Sequence, residues 1–182
     1  MKKLILFLFP LFVLYSLAPA AASNFGNYLA LRVGYVTGAS SHFDDDSFSG
    51  IGGTIAYGQS TKARSWLDLR AEGELIYHTQ THDDVRLTPM GVNLNFYADF
   101  GDTEWLLKPY AGLGFGGKLI TVTDQNDKNR GYGGIAWNAQ TGITFNFSED
   151  LKLDAGLRYD MTSTLDFTLH NYVISAGVRW YF

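Results

Sequence analysis

From residue 27 onward, apolar and polar residues alternate with a period of two in eight separate runs. That period puts alternate side chains on opposite faces of an extended chain, so each run predicts a β-strand with one oily face. The runs cover about 27–37, 50–58, 66–78, 90–100, 105–119, 134–147, 151–161 and 170–182. The last run sets the pattern. Phe182, Trp180, Val178, Ala176, Ile174 and Tyr172 share one face, and Tyr181, Arg179, Gly177, Ser175, Val173 and Asn171 share the other. The third run is the sharpest. Leu67, Leu69, Ala71, Gly73, Leu75 and Tyr77 carry no charge, whereas Asp68, Arg70, Glu72 and Glu74 lie on the opposite face, followed by Ile76 and His78. A face that charged needs water or partner charges. Aromatic residues gather at the ends of the oily faces. A strand crossing a bilayer has this form, with its middle against acyl chains and its rings at the two interfaces.

The polar links alternate in length. Those after strands two, four and six (59–65, 101–104 and 148–150) are short; those after strands one, three, five and seven (38–49, 79–86, 120–133 and 162–169) are longer. An even number of strands with alternating short and long links predicts an all-β fold: an eight-stranded antiparallel up-and-down transmembrane β-barrel. Short turns on the periplasmic side would put both mature termini in the periplasm of a bacterial outer membrane. Pro109 is a blemish, since it removes one ladder donor. A soluble lipocalin-like barrel would use the same alternation with its apolar faces inside. The aromatic strand ends and the terminal Phe182 argue for the membrane form.

The N-terminus refines the address. Lys2 and Lys3 precede an apolar run from Leu4 to Leu17, and Ala18-Pro19-Ala20-Ala21-Ala22 offers small residues for cleavage. Residues 1–22 therefore read as a cleavable signal peptide, cut after Ala22 or after Ala20, and residues 23–182 as the barrel domain. The run is short for an uncleaved anchor, and no stop-transfer pattern follows. The whole chain carries 14 basic and 18 acidic residues; loss of Lys2 and Lys3 lowers the net charge from −4 to −6. An acidic chain with no basic run is a poor nucleic-acid partner. Without cysteine there is neither a disulfide framework nor a thiolate metal site. No later stretch is long enough for an apolar helix, so any further crossing is by strands.

The inward set is the main chemical feature. It comprises Arg32, Asp68, Arg70, Glu72, Glu74, Asp99, Lys108, Lys118, Lys152, Asp154, Arg158, Asp160 and Arg179. Both signs are near balance, and the interior of an eight-stranded barrel is just wide enough for side chains to fill. Such charges pair or keep water, because an unpaired buried charge is strongly destabilising. Two readings follow: an ion-pair plug, or a narrow ion path. The inward glycines Gly52, Gly112, Gly114, Gly116, Gly142, Gly156 and Gly177 serve either one, by seating long side chains or by leaving a channel. The run from Gly112 to Gly117 lacks the strand–turn–helix setting of a nucleotide site, so no cofactor is expected there.

His42, His78, His82 and His170 all map to outer loops or outer strand ends. They are the side chains able to act as general bases near neutrality. Asp44, Asp45 and Asp46 with His78 and His82 do not match the spacing of a calcium loop, so no metal site is assigned.

The stretches from Lys108 to Gly116 and from Asp154 to Tyr159, with the terminal strand, resemble the small outer-membrane β-barrel superfamily. That grouping includes the OmpA-like transmembrane domain, OmpX-type proteins and opacity-type surface antigens. The resemblance implies surface display, adhesion or envelope support among outer-membrane lipid and lipopolysaccharide, with a possible extracellular ligand at the loops. It implies that the barrel-assembly machinery reads the last strand through Phe182, Trp180 and Val178. The loops are short beside those of adhesive members, and no peptidoglycan-binding domain follows Phe182. Two related families act on lipid A, a palmitoyl transferase and a deacylase. The deacylases carry His-x-Ser with a nearby Glu, which none of the four histidines here matches. The expected role is thus structural or surface-interactive and not enzymatic, with a narrow porin-like channel and a lipid A-modifying enzyme as alternatives.

Overall fold

The computed structural model describes residues 25–41, 47–102, 105–124, 126 and 128–182. The expected signal peptide, His42 and the Asp44–Asp46 run lie outside the described residues. The strands are β1 (Phe25–Ser40), β2 (Ser47–Arg64), β3 (Leu67–His82), β4 (Val85–Phe100), β5 (Leu107–Thr123), β6 (Asn129–Asn146), β7 (Leu151–Thr164) and β8 (Thr168–Tyr181). Each pairs antiparallel with its neighbours in sequence, and β8 pairs with β1 to close the barrel. Ladder pairing followed once round runs from Ala30 through Ala56, Glu74, Asn93, Gly116, Ala136, Thr162 and Leu169. It returns to β1 at Ser40, ten residues further on. With ordinary strand rise and spacing, that stagger tilts the strands by about 40° and gives each residue about 2.5 Å of depth.

All eight runs are strands, and their oily faces point outward. Leu31, Val33, Ile51, Leu75, Leu113, Phe115 and Ile174 are each more than half exposed, while Arg70, Glu72, Glu74, Lys118, Asp160 and Arg179 are buried. This inside-out order is opposite to that of a soluble barrel. Tyr35, Tyr77, Trp137, Tyr159 and Tyr172 ring one end of the oily wall. Phe100, Trp180 and Phe182 mark the other.

The link lengths differ from the expected alternation. The strands are longer, and the link after β3 is only Asp83–Asp84, as short as Ser65–Trp66 after β2. Asp83 takes a left-handed φ of 48° to close that hairpin, a conformation Asp tolerates better than most residues. The links after β1, β3, β5 and β7 define the hairpin end of the barrel; the opposite, chain-end side carries the start of β1 at Phe25 and the C-terminal Phe182.

The reason for the difference lies in the polarity of the wall. Beyond the ring of Tyr35 and Tyr77 most outward positions become polar, at Thr37, Ser49, Thr79, Thr81, Thr88, Thr121 and Ser163, with Leu119 and Ile135 as apolar exceptions. The inward positions become apolar: Phe48, Leu87, Ile120, Phe167 and Leu169 pack together in a buried cluster. The strands pass from oil-outside to oil-inside while remaining paired. Judged by one oily face, they stop too early.

Candidate functional site in the barrel interior

Because side chains alternate across each strand, every second residue of all eight strands is delivered into one narrow lumen. The stagger then decides which of them meet. Glu72 sits at the centre and is fully buried. Its Oε1 accepts from Tyr28 Oη at 2.8 Å, Arg32 Nη2 at 2.7 Å and Arg70 Nη1 at 3.0 Å, and its Oε2 accepts from Tyr97 Oη at 3.1 Å. Arg70 also grips Asp99 with Nε and Nη2 and lies 4.2 Å over the Tyr97 ring. These are the short, charge-assisted contacts that satisfy buried ions.

Around this centre the other charges pair in layers. Towards the chain-end side, Arg179 holds Asp154 with Nε at 2.7 Å and Nη2 at 2.8 Å, and also reaches Thr144. Lys108 donates to Asp68 at 2.8 Å, and Lys152 lies 4.6 Å over the Tyr181 ring. Towards the hairpin end, Arg158 donates to Glu74 at 2.7 Å and approaches Asp160 at 3.2 Å, which in turn lies 2.6 Å from Lys118. Gln140, Asn138 and Asn95 form a chain of side-chain hydrogen bonds, each amide NH2 donating to the next oxygen and the last to Glu74. Thus the structure brings together all thirteen inward charges of the sequence pattern.

The inward glycines seat these side chains. A Cβ on Gly58 would come 2.4 Å from the Tyr28 ring, one on Gly112 2.4 Å from the Tyr97 ring, and one on Gly177 2.5 Å from Arg32 Cγ. The glycine space is therefore filled by rings and guanidinium stems, not left as a channel. The cap at the hairpin end closes the same lumen again.

The histidines separate. His78 is not at the rim: β3 continues past it, and its ring is buried inside the barrel against Gly52. His82 does lie at the hairpin end, with Nδ1 3.0 Å from the carbonyl of Ser47. His170 faces outward, and its Nδ1 is 2.7 Å from Tyr159 Oη. His78 and His82 thus share the inward face of β3 but lie four residues apart in depth, His78 inside the barrel and His82 at its hairpin end. Among the described residues no three His, Asp or Glu side chains converge as a metal site. Phe182, Trp180 and the half-buried Val178 lie on the outward face of the strand that closes the barrel against β1.

A closed barrel with lipid-type residues outside and paired ions inside defines the class of transmembrane β-barrels. The family described as "Outer membrane protein beta-barrel domain" matches residues 7–182, and the chain belongs to that family. It is thus a bacterial outer-membrane protein. No curated protein sequence matches it. Among solved structures it is similar to Neisserial surface protein A, at 21% identity and a TM-score of 0.71, covering 86% of this chain and 97% of that one. It is similar to Ail, the attachment invasion locus protein of Yersinia pestis, solved with the heparin analogue sucrose octasulfate. That match has 13% identity and a TM-score of 0.52, covering 85% and 99% of the two chains. A third similarity is to the outer membrane enzyme PagL, at 16% identity and a TM-score of 0.51, covering 80% and 97%. At these identities the likenesses show the fold.

Proposed function

We propose that this protein is a closed outer-membrane barrel with a structural or surface-interaction role carried by its hairpin ends. The observation that supports this best is the filled lumen: ion pairs occupy the middle and an apolar cluster the hairpin end, which leaves the outer rim as the accessible surface. In this reading the hairpin end faces outward and both chain ends face the periplasm. The names of Neisserial surface protein A and of Ail, an attachment invasion locus protein, favour a surface role. The test replaces links 41–46 and 124–128 with Gly-Ser segments of the same length. Partner or surface binding is expected to fall at least tenfold while heat-modifiable gel migration stays intact. Retained binding with both links replaced contradicts the reading. The likeness to an outer membrane enzyme keeps a catalytic alternative in view, lipid A modification being the one that the sequence raises, and His170 with Tyr159 Oη is the outward pair to examine. Lipid A mass spectra from cells with and without the gene are expected to coincide; one shifted acyl mass overturns the non-enzymatic reading.

We also propose that Phe182, Trp180 and Val178 form the contact that the assembly machinery reads. They line the outward face of β8, which closes the barrel, and Phe182 N donates to Asn27 O at 3.0 Å across that seam. Phe182→Ala is expected to lower the amount of inserted barrel in cells several-fold. Refolding of the same variant in detergent should be almost unchanged. Equal losses in both settings contradict an assembly role.

A further inference from the structure

Between the ion-pair layers and the apolar cap lies a short band of side chains that the network leaves unsatisfied. Gln80, Asn171 and Thr162 are fully buried. Both polar atoms of each amide, and the Thr162 hydroxyl, have no protein hydrogen-bond partner. Just below them, Nδ1 of His78 and Oγ1 of Thr54 are in the same condition. His78 and Thr54 line a cavity of about 20 Å³ shared with Arg32, Glu74, Arg158 and Ser175. A cavity of that size holds about one water, provided it offers 2–4 polar partners, and this one does.

Chemistry selects the occupant. The unsatisfied set mixes donors with acceptors: two carboxamides, two hydroxyls and an imidazole nitrogen. A bare cation would want acceptors alone, and Lys118 and Arg158 stand close by. An anion would want donors alone, and Glu74 and Asp160 stand close by. Water supplies both roles. Left unsatisfied, each such group is strongly destabilising, so a dry band is not tenable in a protein of ordinary stability.

Above the band Phe48, Leu87, Ile120, Phe167 and Leu169 close the lumen. Phe167 belongs to the three-residue link 165–167. It is pinned there by its backbone bonds with Thr164 and packs edge-on against Tyr132 at 5.1 Å. Below the band the Glu72 cluster fills the lumen. Apolar constrictions exclude water and ions by dewetting.

We propose that the hairpin-end third of the barrel is a blind, water-binding vestibule, shut by an apolar gate and floored by the ion-pair plug. Opened, it admits small polar molecules from the hairpin side only, down to His78 and the Lys118–Asp160 pair, and conducts nothing through. This rests on the closed-barrel reading for its floor alone. Loss of the gate appears as labelling, whereas failure of the floor appears as conductance.

The chain has no cysteine, so a single Thr162→Cys reports the vestibule without background. Iodoacetamide is added to the refolded barrel, with Asn129→Cys at the exposed rim as the fast reference. Thr162→Cys with the cap intact is expected to react at least 100-fold more slowly than the reference. Adding Leu87→Ser and Phe167→Ser should raise its rate at least tenfold. A fast reaction with the cap intact, or no gain once the cap is opened, overturns the gate. If the triple variant gives no heat-modifiable band, Leu87→Ala alone with Thr162→Cys serves, with a gain of at least threefold expected and no gain counting against the gate. Steady conductance of the cap-opened barrel in a planar bilayer overturns the blind floor. Hydration has its own readout: Gln80→Met should lower the urea midpoint of unfolding, because it removes water-bound groups. A midpoint that stays the same or rises overturns the water-binding part.

Discussion

Glu72→Ala is expected to lower the unfolding free energy by about 3–5 kcal/mol, the usual cost of removing one partner from a buried ionic cluster. The carboxylate takes two guanidinium and two phenol contacts at once. Its loss strands Arg32 in part, since the next carboxylates, Glu74 and Asp154, are 3.8 and 3.9 Å away. Arg70 keeps Asp99, which limits the damage on that side. Glu72→Gln should fall between: it keeps acceptor and donor atoms for Tyr28 and Tyr97 but no charge for the arginines. Tryptophan fluorescence during urea unfolding in vesicles reads the change, because Trp137 and Trp180 lie on the outward wall. A loss below about 1 kcal/mol, within the range of exposed pairs, would show that the cluster is hydrated and loosely coupled.

The strands and their faces were readable from sequence because the bilayer imposes a strict period of two. Every outward position must be apolar over the same depth, so runs such as Leu67 to Tyr77 carry the signal without help from tertiary contacts. That the charges face inward followed from the same period. Their partners did not follow, because pairing across the lumen depends on the stagger of ten residues. Arg158, for example, meets Glu74 across 84 positions of sequence. The strand ends were hidden by the inversion of polarity beyond the aromatic ring. Phe48, Leu87, Ile120 and Leu169 share the inward face with the charges, so a search for one continuous oily face leaves them in loops. Their signal was present: Leu87 and Ile120 keep the two-residue spacing of Asn93 and Lys118 on their own strands. His78 shows the same effect. It continues the alternation of Glu72 and Glu74, and only a strand ended too soon put it at the rim. The vestibule residues Gln80 and Thr162 were left in links for the same reason, whereas Asn171 already stood on the charged face of the last run.

The central claim is that the wall's change of polarity marks the edge of the bilayer, with oil-facing residues below it and water-facing residues above. Leu113 and Thr121 test it on one strand and one face. Both point outward on β5; Leu113 lies in mid-wall, 66% exposed, and Thr121 lies beyond the aromatic ring. Eight residues at about 2.5 Å of depth each separate them by about 20 Å. The measurement is the unfolding free energy, in lipid vesicles, of Leu113→Arg and of Thr121→Arg against the unaltered barrel. An arginine at the bilayer midplane costs about 2–4 kcal/mol and one near the interface about 0–1. The expected result is a loss in the first range for Leu113→Arg and in the second for Thr121→Arg. Equal losses at the two positions, or a tolerated Leu113→Arg, would contradict a membrane wall that ends at the ring of Tyr35 and Tyr77.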